Sequence, residues 1–356
     1  MDIKDFISSS NIALYMKELP EESTIDKALF PNKKQLGTEL EFAKGAKNKA
    51  VALRMSQFDV ATKVRALSAT LNVEKREMPF FKEAIGISET KRRELINAIN
   101  ANNENLVTAL TSQVFDNYAN LVAGANIQTK RMRAALIQDG EINITTDDGD
   151  IVVDYGVPAT HKETIVTTSD MWNNASADII GDIQRYQKAI TDDNYDKPTI
   201  LLMTEKTFMN TFMINTAIIK ALNARLYSVS SDAGLVLNEQ DFLNFIKERL
   251  GLSVVFLENT TYIPSEGAAP QPYYKDGKVT FMSGTTLGYT VYGTTPEEYD
   301  KVYGSGKLDT SIVQDAIAIT TMVKEDPITV DTKVSQIVIP SFERADEVFF
   351  ATVYTA

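Results

Sequence analysis

The 356-residue sequence has no cysteine, a single histidine and a single tryptophan. Without cysteine there is no disulfide, no thiolate nucleophile and no Cys-based zinc site. A His-dependent triad or metal centre would have only His161 to use. That residue lies in Pro158-Ala159-Thr160-His161-Lys162-Glu163 with no HExxH partner, and reads as a solvated loop histidine. No apolar run approaches the roughly 18 to 20 residues that cross a bilayer. The start, Met1-Asp2-Ile3-Lys4-Asp5-Phe6, lacks the basic and then apolar order of a signal peptide. The expectation is a protein that stays in the cytoplasm where it is made, away from membranes. GxGxxG and GxSxG are both missing. Gly304-Ser305-Gly306-Lys307 looks like the end of a phosphate loop. Lys301 stands where the first glycine is needed, however, and Leu308 where Ser or Thr is needed. The acidic turn Asp147-Asp148-Gly149-Asp150 lacks the twelve-residue ligand pattern of a calcium loop. Carboxylates are abundant, but nothing selects a pair for acid/base work. No catalytic residue, cofactor site or metal site is therefore expected.

What the chain does have is enough apolar content, 44%, to pack a core, and an uneven charge. The net charge is −12, but residues 1–140 carry +3 and residues 141–356 carry −15. Within 43–93 the balance is +7. A basic segment on an acidic body suits either nucleic acid or the acidic body of a neighbouring copy. The second needs no external partner and is preferred.

Residues 1–35 show little periodicity and read as an extended arm with at most one short helix, dispensable for folding. Apolar positions two apart through 36–82 suggest strands in a long excursion. Its ordering entropy is hardly repaid by its own contacts, so another subunit should supply the rest. Ser88 should cap a helix ending near Ala101. After the Asn100–Asn103 break, a second helix should run to Gly140. Its apolar stripe is Leu106, Leu110, Val114, Tyr118, Leu121, Met132 and Leu136, making a rod on the order of 50 Å long. An acidic residue at Leu110 should be incompatible with folding. Asp148-Gly149 should turn a hairpin between 141 and 155. Beyond 165 the pattern is mixed: helices near 177–190, 205–222 and 239–250, and strands at 199–203 and 252–257 joined by a crossover. A hairpin is expected at 273–281, and three strands within 311–355. Trp172 reads as core. Lys91-Arg92-Arg93 opposes the dipole near a helix start and makes sense facing an acidic neighbour or a phosphate surface.

Several segments, in this order, resemble the lambda-like major capsid proteins, the phage major capsid protein E family. They are Leu29-Phe30-Pro31 then Gly37-Thr38-Glu39-Leu40-Glu41-Phe42, and Met78-Pro79-Phe80 ahead of Lys91-Arg92-Arg93. Ala134-Ala135-Leu136-Ile137-Gln138-Asp139-Gly140 precedes Ile151-Val152-Val153-Asp154-Tyr155-Gly156. Trp172, Asp182-Ile183, the strand 199–203 and Ile339-Pro340 follow. The resemblance implies an α+β chain with the Hong Kong 97-type phage capsid fold. Its parts would be an N-terminal arm (1–35), an extended E-loop hairpin region (36–82) and a peripheral domain with a long spine helix (83–165). An α/β axial domain (166–305) and C-terminal strands returning to the peripheral domain (306–356) would complete it. Lys63, Arg65, Lys75 and Arg76 would be inter-subunit contacts of the E-loop.

The implied role is structural, not enzymatic: a coat subunit that assembles into the icosahedral head of a tailed bacteriophage around double-stranded DNA. Partners would be other copies in pentamers and hexamers, a scaffolding protein, a portal protein and a decoration protein. The 1–35 arm is too short to be a helical scaffold of its own. The location would be the virion, after assembly in the host bacterial cytoplasm. Two other readings remain: an encapsulin-like nanocompartment shell, separable by its protein cargo, and a carboxylate-dependent α/β hydrolase, separable by small oligomer size.

Overall fold

Local caps decide where the long helical stretch begins and ends. The computed structural model describes residues 8–18, 23–44, 72–101, 104–146, 149–227, 237–305, 308–314, 316–325 and 328–355. Ser88 caps α3 (Glu89–Asn100), its side chain accepting from the Lys91 amide. The spine follows as α4 (Glu104–Asp139), 36 residues or about 54 Å. It stops at Gly140, whose φ of +70° is left-handed. A Cβ there would stand 2.7 Å from Phe350 and from Val157, so only glycine fits.

The described residues fall into two compact units. The first draws on 1–41, 75–133 and 289–341. Its sheet has the order β1-β13-β16-β15-β14, with β4 also on β16. These strands are β1 (Asn32–Lys34), β4 (Phe80–Ile87), β13 (Thr290–Tyr292), β14 (Asp309–Val313), β15 (Ile317–Glu325) and β16 (Ile328–Pro340). Strand β16 runs antiparallel to β15 and β4, with Thr332 opposite both Thr321 and Ile85. Alternation puts Thr332, Val334 and Gln336 on one face, and Asp331, Lys333 and Ser335 on the other. Helix α4 lies on the first face, where the Gln336 amide donates to the Ala125 carbonyl at 2.7 Å. Helix α9 (Pro296–Tyr303) lies on the second, where the Glu297 carboxylate takes Lys333 and Ser335.

The arm differs from expectation. Described residues of 1–35 form α1 (Ser9–Glu18), α2 (Ile25–Leu29) and β1, which pairs in parallel with β13. Ile12 and Met16 are buried, and the Ser9 amide and hydroxyl both donate to Asp309. Sequence periodicity missed this because the apolar contacts are spread over three short elements. The described part of the segment packs into the core of the first unit.

The second unit draws on 42–74, 134–288 and 342–356. Its five-stranded sheet has the order β7-β17-β12-β8-β9. Here β7 is Lys162–Thr164, β8 Ile200–Thr204, β9 Ser253–Leu257, β12 Lys278–Met282 and β17 Phe349–Thr352. The crossover expected between 199–203 and 252–257 is present: β8 and β9 are parallel. Helices α5 (Ile179–Asp192) and α8 (Glu239–Leu250) pack on the sheet. The core includes Trp172, Tyr186, Phe208, Phe242, Phe281 and Phe349. The Trp172 indole donates to Asp182 at 2.9 Å.

Three further expectations change. The helix over 205–222 divides into α6 (Glu205–Thr211), a 3₁₀ turn, and α7 (Thr216–Tyr227). The Asn215 side chain explains the break: it accepts from the Ile218 amide and donates to the Ala177 carbonyl. Residues 273–281 are not a hairpin. Gly277 (φ +79°) turns the chain into β12, which pairs with the distant β8 and β17. Strands β15 and β16 stay with the helix-bearing unit, but β17 lies in the α/β sheet. Among the described residues three two-stranded ladders remain. They pair β2 (Glu39–Lys44) with β3 (Asn72–Glu77), β5 (Glu141–Thr146) with β6 (Gly149–Asp154), and β10 (Thr261–Tyr262) with β11 (Gln271–Pro272).

Candidate functional site

Charge singles out the basic excursion over 36–82. Its base is the β2–β3 ladder. Lys75 and Arg76 lie on β3, Lys75 exposed and Arg76 half-buried. Lys63 and Arg65 lie outside the described residues.

The stripe along α4 changes character along its length. Tyr118, Leu121, Met132 and Leu136 are buried. Leu110 and Val114 are half-buried, and Leu106 is 45% exposed. The first turns of the spine therefore present apolar side chains outward, with Ile96 of α3 also exposed.

Two buried polar arrangements hold the first unit together. The Arg133 guanidinium of α4 meets the Asp26 carboxylate of α2 at 2.7 Å, with both side chains almost fully buried. Glu297 of α9 sits under the sheet with Lys333 and Ser335. Burial alone would raise the Glu297 pKa. Hydrogen bonds from Lys333, from its own backbone and from Ser335 outweigh that, and the pKa lies below the ordinary value. A depressed carboxylate stabilises the folded state above its unfolded pKa, near 4.5, and the contribution is lost as pH falls through the folded pKa. Thermal unfolding of unassembled subunits should show this loss below about pH 4.5. Glu297→Gln should flatten that acid limb. An unchanged limb in the variant would show that other carboxylates carry it.

His161 is a correction. It is fully buried, with Nε2 3.0 Å from Asp193 and its ring against Tyr195 and Phe349. Sequence context gave it polar neighbours, whereas the fold closes α5 and β17 over it.

The chemistry available elsewhere is limited. An open cleft of about 220 Å³ is lined by Asp139, Glu141 and Glu163 among others. Each of these carboxylates meets a cation: Lys278, Lys162 and Arg185 respectively. Among the described residues no group of three or more His, Cys, Asp or Glu is placed to hold a metal ion. None of the described helices is long and apolar enough to cross a membrane. The surface otherwise presents exposed side chains on β3, at the open start of the spine and on the outward face of α9. Sequence reasoning missed the α9 face and both buried ion pairs, because their partners are distant in the chain.

Comparison with known proteins gives a family model, "Phage major capsid protein E", matching residues 10–353. No curated protein matches. Among solved structures, a prophage protein of E. coli CFT073 assigned as a capsid protein is 8% identical. That match covers 98% of this chain and 99% of the other, with a TM-score of 0.59. A phage-related protein from Bordetella bronchiseptica RB50 is 11% identical over 98% and 99%, with a TM-score of 0.48. The capsid of cyanophage A-1(L) is 11% identical over 95% of each chain, with a TM-score of 0.47.

Proposed function

Because the chain belongs to the phage major capsid protein E family, we propose that it is the coat subunit of a tailed phage, building the icosahedral head around double-stranded DNA. The observation that carries this reading is the extent of the family match, from residue 10 to residue 353, through both compact units. The fold is the α+β Hong Kong 97-type capsid fold, and the protein is a structural component of the virion that associates with copies of itself into a shell.

Finer points extend that reading. The copies gather as pentamers and hexamers in the host bacterial cytoplasm. A scaffolding protein, a portal protein and a decoration protein act with them, and the subunit performs no catalytic step. The first unit serves as the peripheral domain with its spine α4, and the sheet of the second as the axial domain. The excursion over 36–82 lies on a neighbour.

Electron microscopy of the protein co-expressed with its scaffolding gene should show closed shells. Small discrete oligomers alone would overturn the coat reading, and shells filled with protein cargo would favour a nanocompartment.

The charge asymmetry supports the contact assigned to Lys63, Arg65, Lys75 and Arg76, since residues 43–93 carry +7 and residues 141–356 carry −15. Single exposed pairs contribute roughly 0 to 1 kcal/mol, but they repeat around a closed shell. Lys63→Glu with Arg65→Glu should block assembly while leaving the subunit folded. Moderate salt should slow wild-type assembly, because screening acts over about 8 to 10 Å. Normal empty shells from the double variant in a packaging-deficient background would mean that these residues face DNA instead.

A further inference from the structure

Helix α9 is turned inside out relative to an ordinary surface helix. Its inward residue is a carboxylate, Glu297, only 5% exposed and engaged by Lys333 and Ser335. At about 100° per residue, Tyr299, Val302 and Tyr303 lie roughly 140° to 240° around from it. They are 59%, 62% and 66% exposed. Apolar residues scattered singly on a surface need no explanation. Three on the outward side of an eight-residue helix, with the polar side buried, form a patch of the kind that marks docking.

The ridge is also held in place. Thr295 caps α9 and Pro296 begins it. Lys34 reaches Glu298 at 2.7 Å, the Lys301 ammonium donates to the Thr310 carbonyl at 2.6 Å, and the Ser305 amide donates to Asp300 at 3.0 Å. The two tyrosine rings lie 4.9 Å apart. A surface fixed before binding loses little entropy on docking.

The same unit carries surface of matching chemistry. On β4, Phe80 is 40% exposed and the Lys82 ammonium lies over its ring. On α3, Lys91, Arg93 and Ile96 are exposed. Tyrosine faces attract lysine and arginine, and the apolar edges of Phe80 and Ile96 suit Val302. We propose that the Tyr299–Val302–Tyr303 ridge of one copy docks on the stretch 80–96 of a second copy, through its exposed Lys91, Arg93 and Ile96. Such a contact joins two different patches and repeats from copy to copy, so it closes into a ring when the rotation allows. It gives the Lys91-Arg92-Arg93 cluster an aromatic partner in the neighbour. The proposal rests on the coat-subunit reading.

The test uses the full chain under assembling conditions. A photo-reactive phenylalanine analogue at position 303, in a mixture of ¹⁴N- and ¹⁵N-labelled subunits, should give mixed-isotope crosslinks into residues 80–96. Crosslinks elsewhere, to a different protein, or none between copies would overturn the proposal. Tyr299→Ser with Val302→Ser and Tyr303→Ser should leave the thermal midpoint of the free subunit unchanged. It should raise the concentration needed for assembly at least about tenfold, roughly 1.4 kcal/mol. Tyr299→Phe with Tyr303→Phe should assemble as wild type. Shells from the triple variant at wild-type concentration would overturn the ridge contact alone. Wild-type protein that never forms shells would overturn the coat reading beneath it. If the triple variant fails to fold, the crosslinks on the otherwise native chain decide.

Discussion

Leu136→Asp should abolish the soluble subunit. Leu136 is fully buried near the end of α4, in a stretch whose neighbours are fixed by hydrogen bonds. The Ile137 carbonyl accepts from the Thr280 hydroxyl at 2.6 Å, and Gln138 exchanges two bonds with the Lys275 backbone. An uncompensated carboxylate in that core costs several kcal/mol, against a total stability of about 5 to 15 kcal/mol for a typical domain. Soluble yield after expression measures the effect. Leu110→Asp is the internal comparison: Leu110 is only half-buried, which corrects the expectation from sequence that an acidic residue there prevents folding, so this variant should remain largely soluble. Equal solubility of the two variants would refute the register assigned to the helix.

Asp26→Ala should lower the stability of the unassembled subunit by about 3 to 5 kcal/mol, because it leaves the Arg133 guanidinium buried without its carboxylate. Replacing both partners by apolar residues of similar volume, Asp26→Leu with Arg133→Met, should recover much of the loss. Removing a buried pair whole is far less costly than breaking it. Urea denaturation of the three proteins reads both effects from the shift in midpoint. A single variant within about 0.5 kcal/mol of wild type would show that Asp26 is not what holds α2 to the spine.

The legible parts of this fold were those written locally. Ser88 as a cap, Gly140 as a helix end and the pairing of 141–146 with 149–154 are each decided by a few neighbouring residues, and each is found where expected; Asp148 itself lies outside the described residues. Trp172 in the core was equally legible. Pairing over distance was not. Strand β12 looked like half of a hairpin because Tyr273–Gly277 carries turn residues, yet its partners are β8 and β17. Asp26 and Arg133 stand 107 positions apart, so nothing near either one announces the pair. Helix α9 was unreadable for a related reason. Its burial pattern is set by Lys333 and Ser335, and amphipathic reasoning would place its tyrosines inward. Of the proposed contact residues, sequence charge pointed to the basic excursion, whereas the ridge on α9 needed the fold.

The seating of α1 on β14 has a consequence for timing. Ser9 and its partner Asp309 are separated by 300 residues, and β1 pairs with a strand that begins at Thr290. At roughly 5 to 20 residues per second, a ribosome takes about 15 to 60 s to deliver the second half of each pair. Throughout that interval Ile12 and Met16 have no strands to cover them, and β4 waits for β16. The first unit therefore closes only once β16 has been made, more than 300 residues after α1. A nascent chain that has not yet made Lys333 and Ser335 cannot display the finished α9, so a copy is not competent to join its neighbours before β16 is in place.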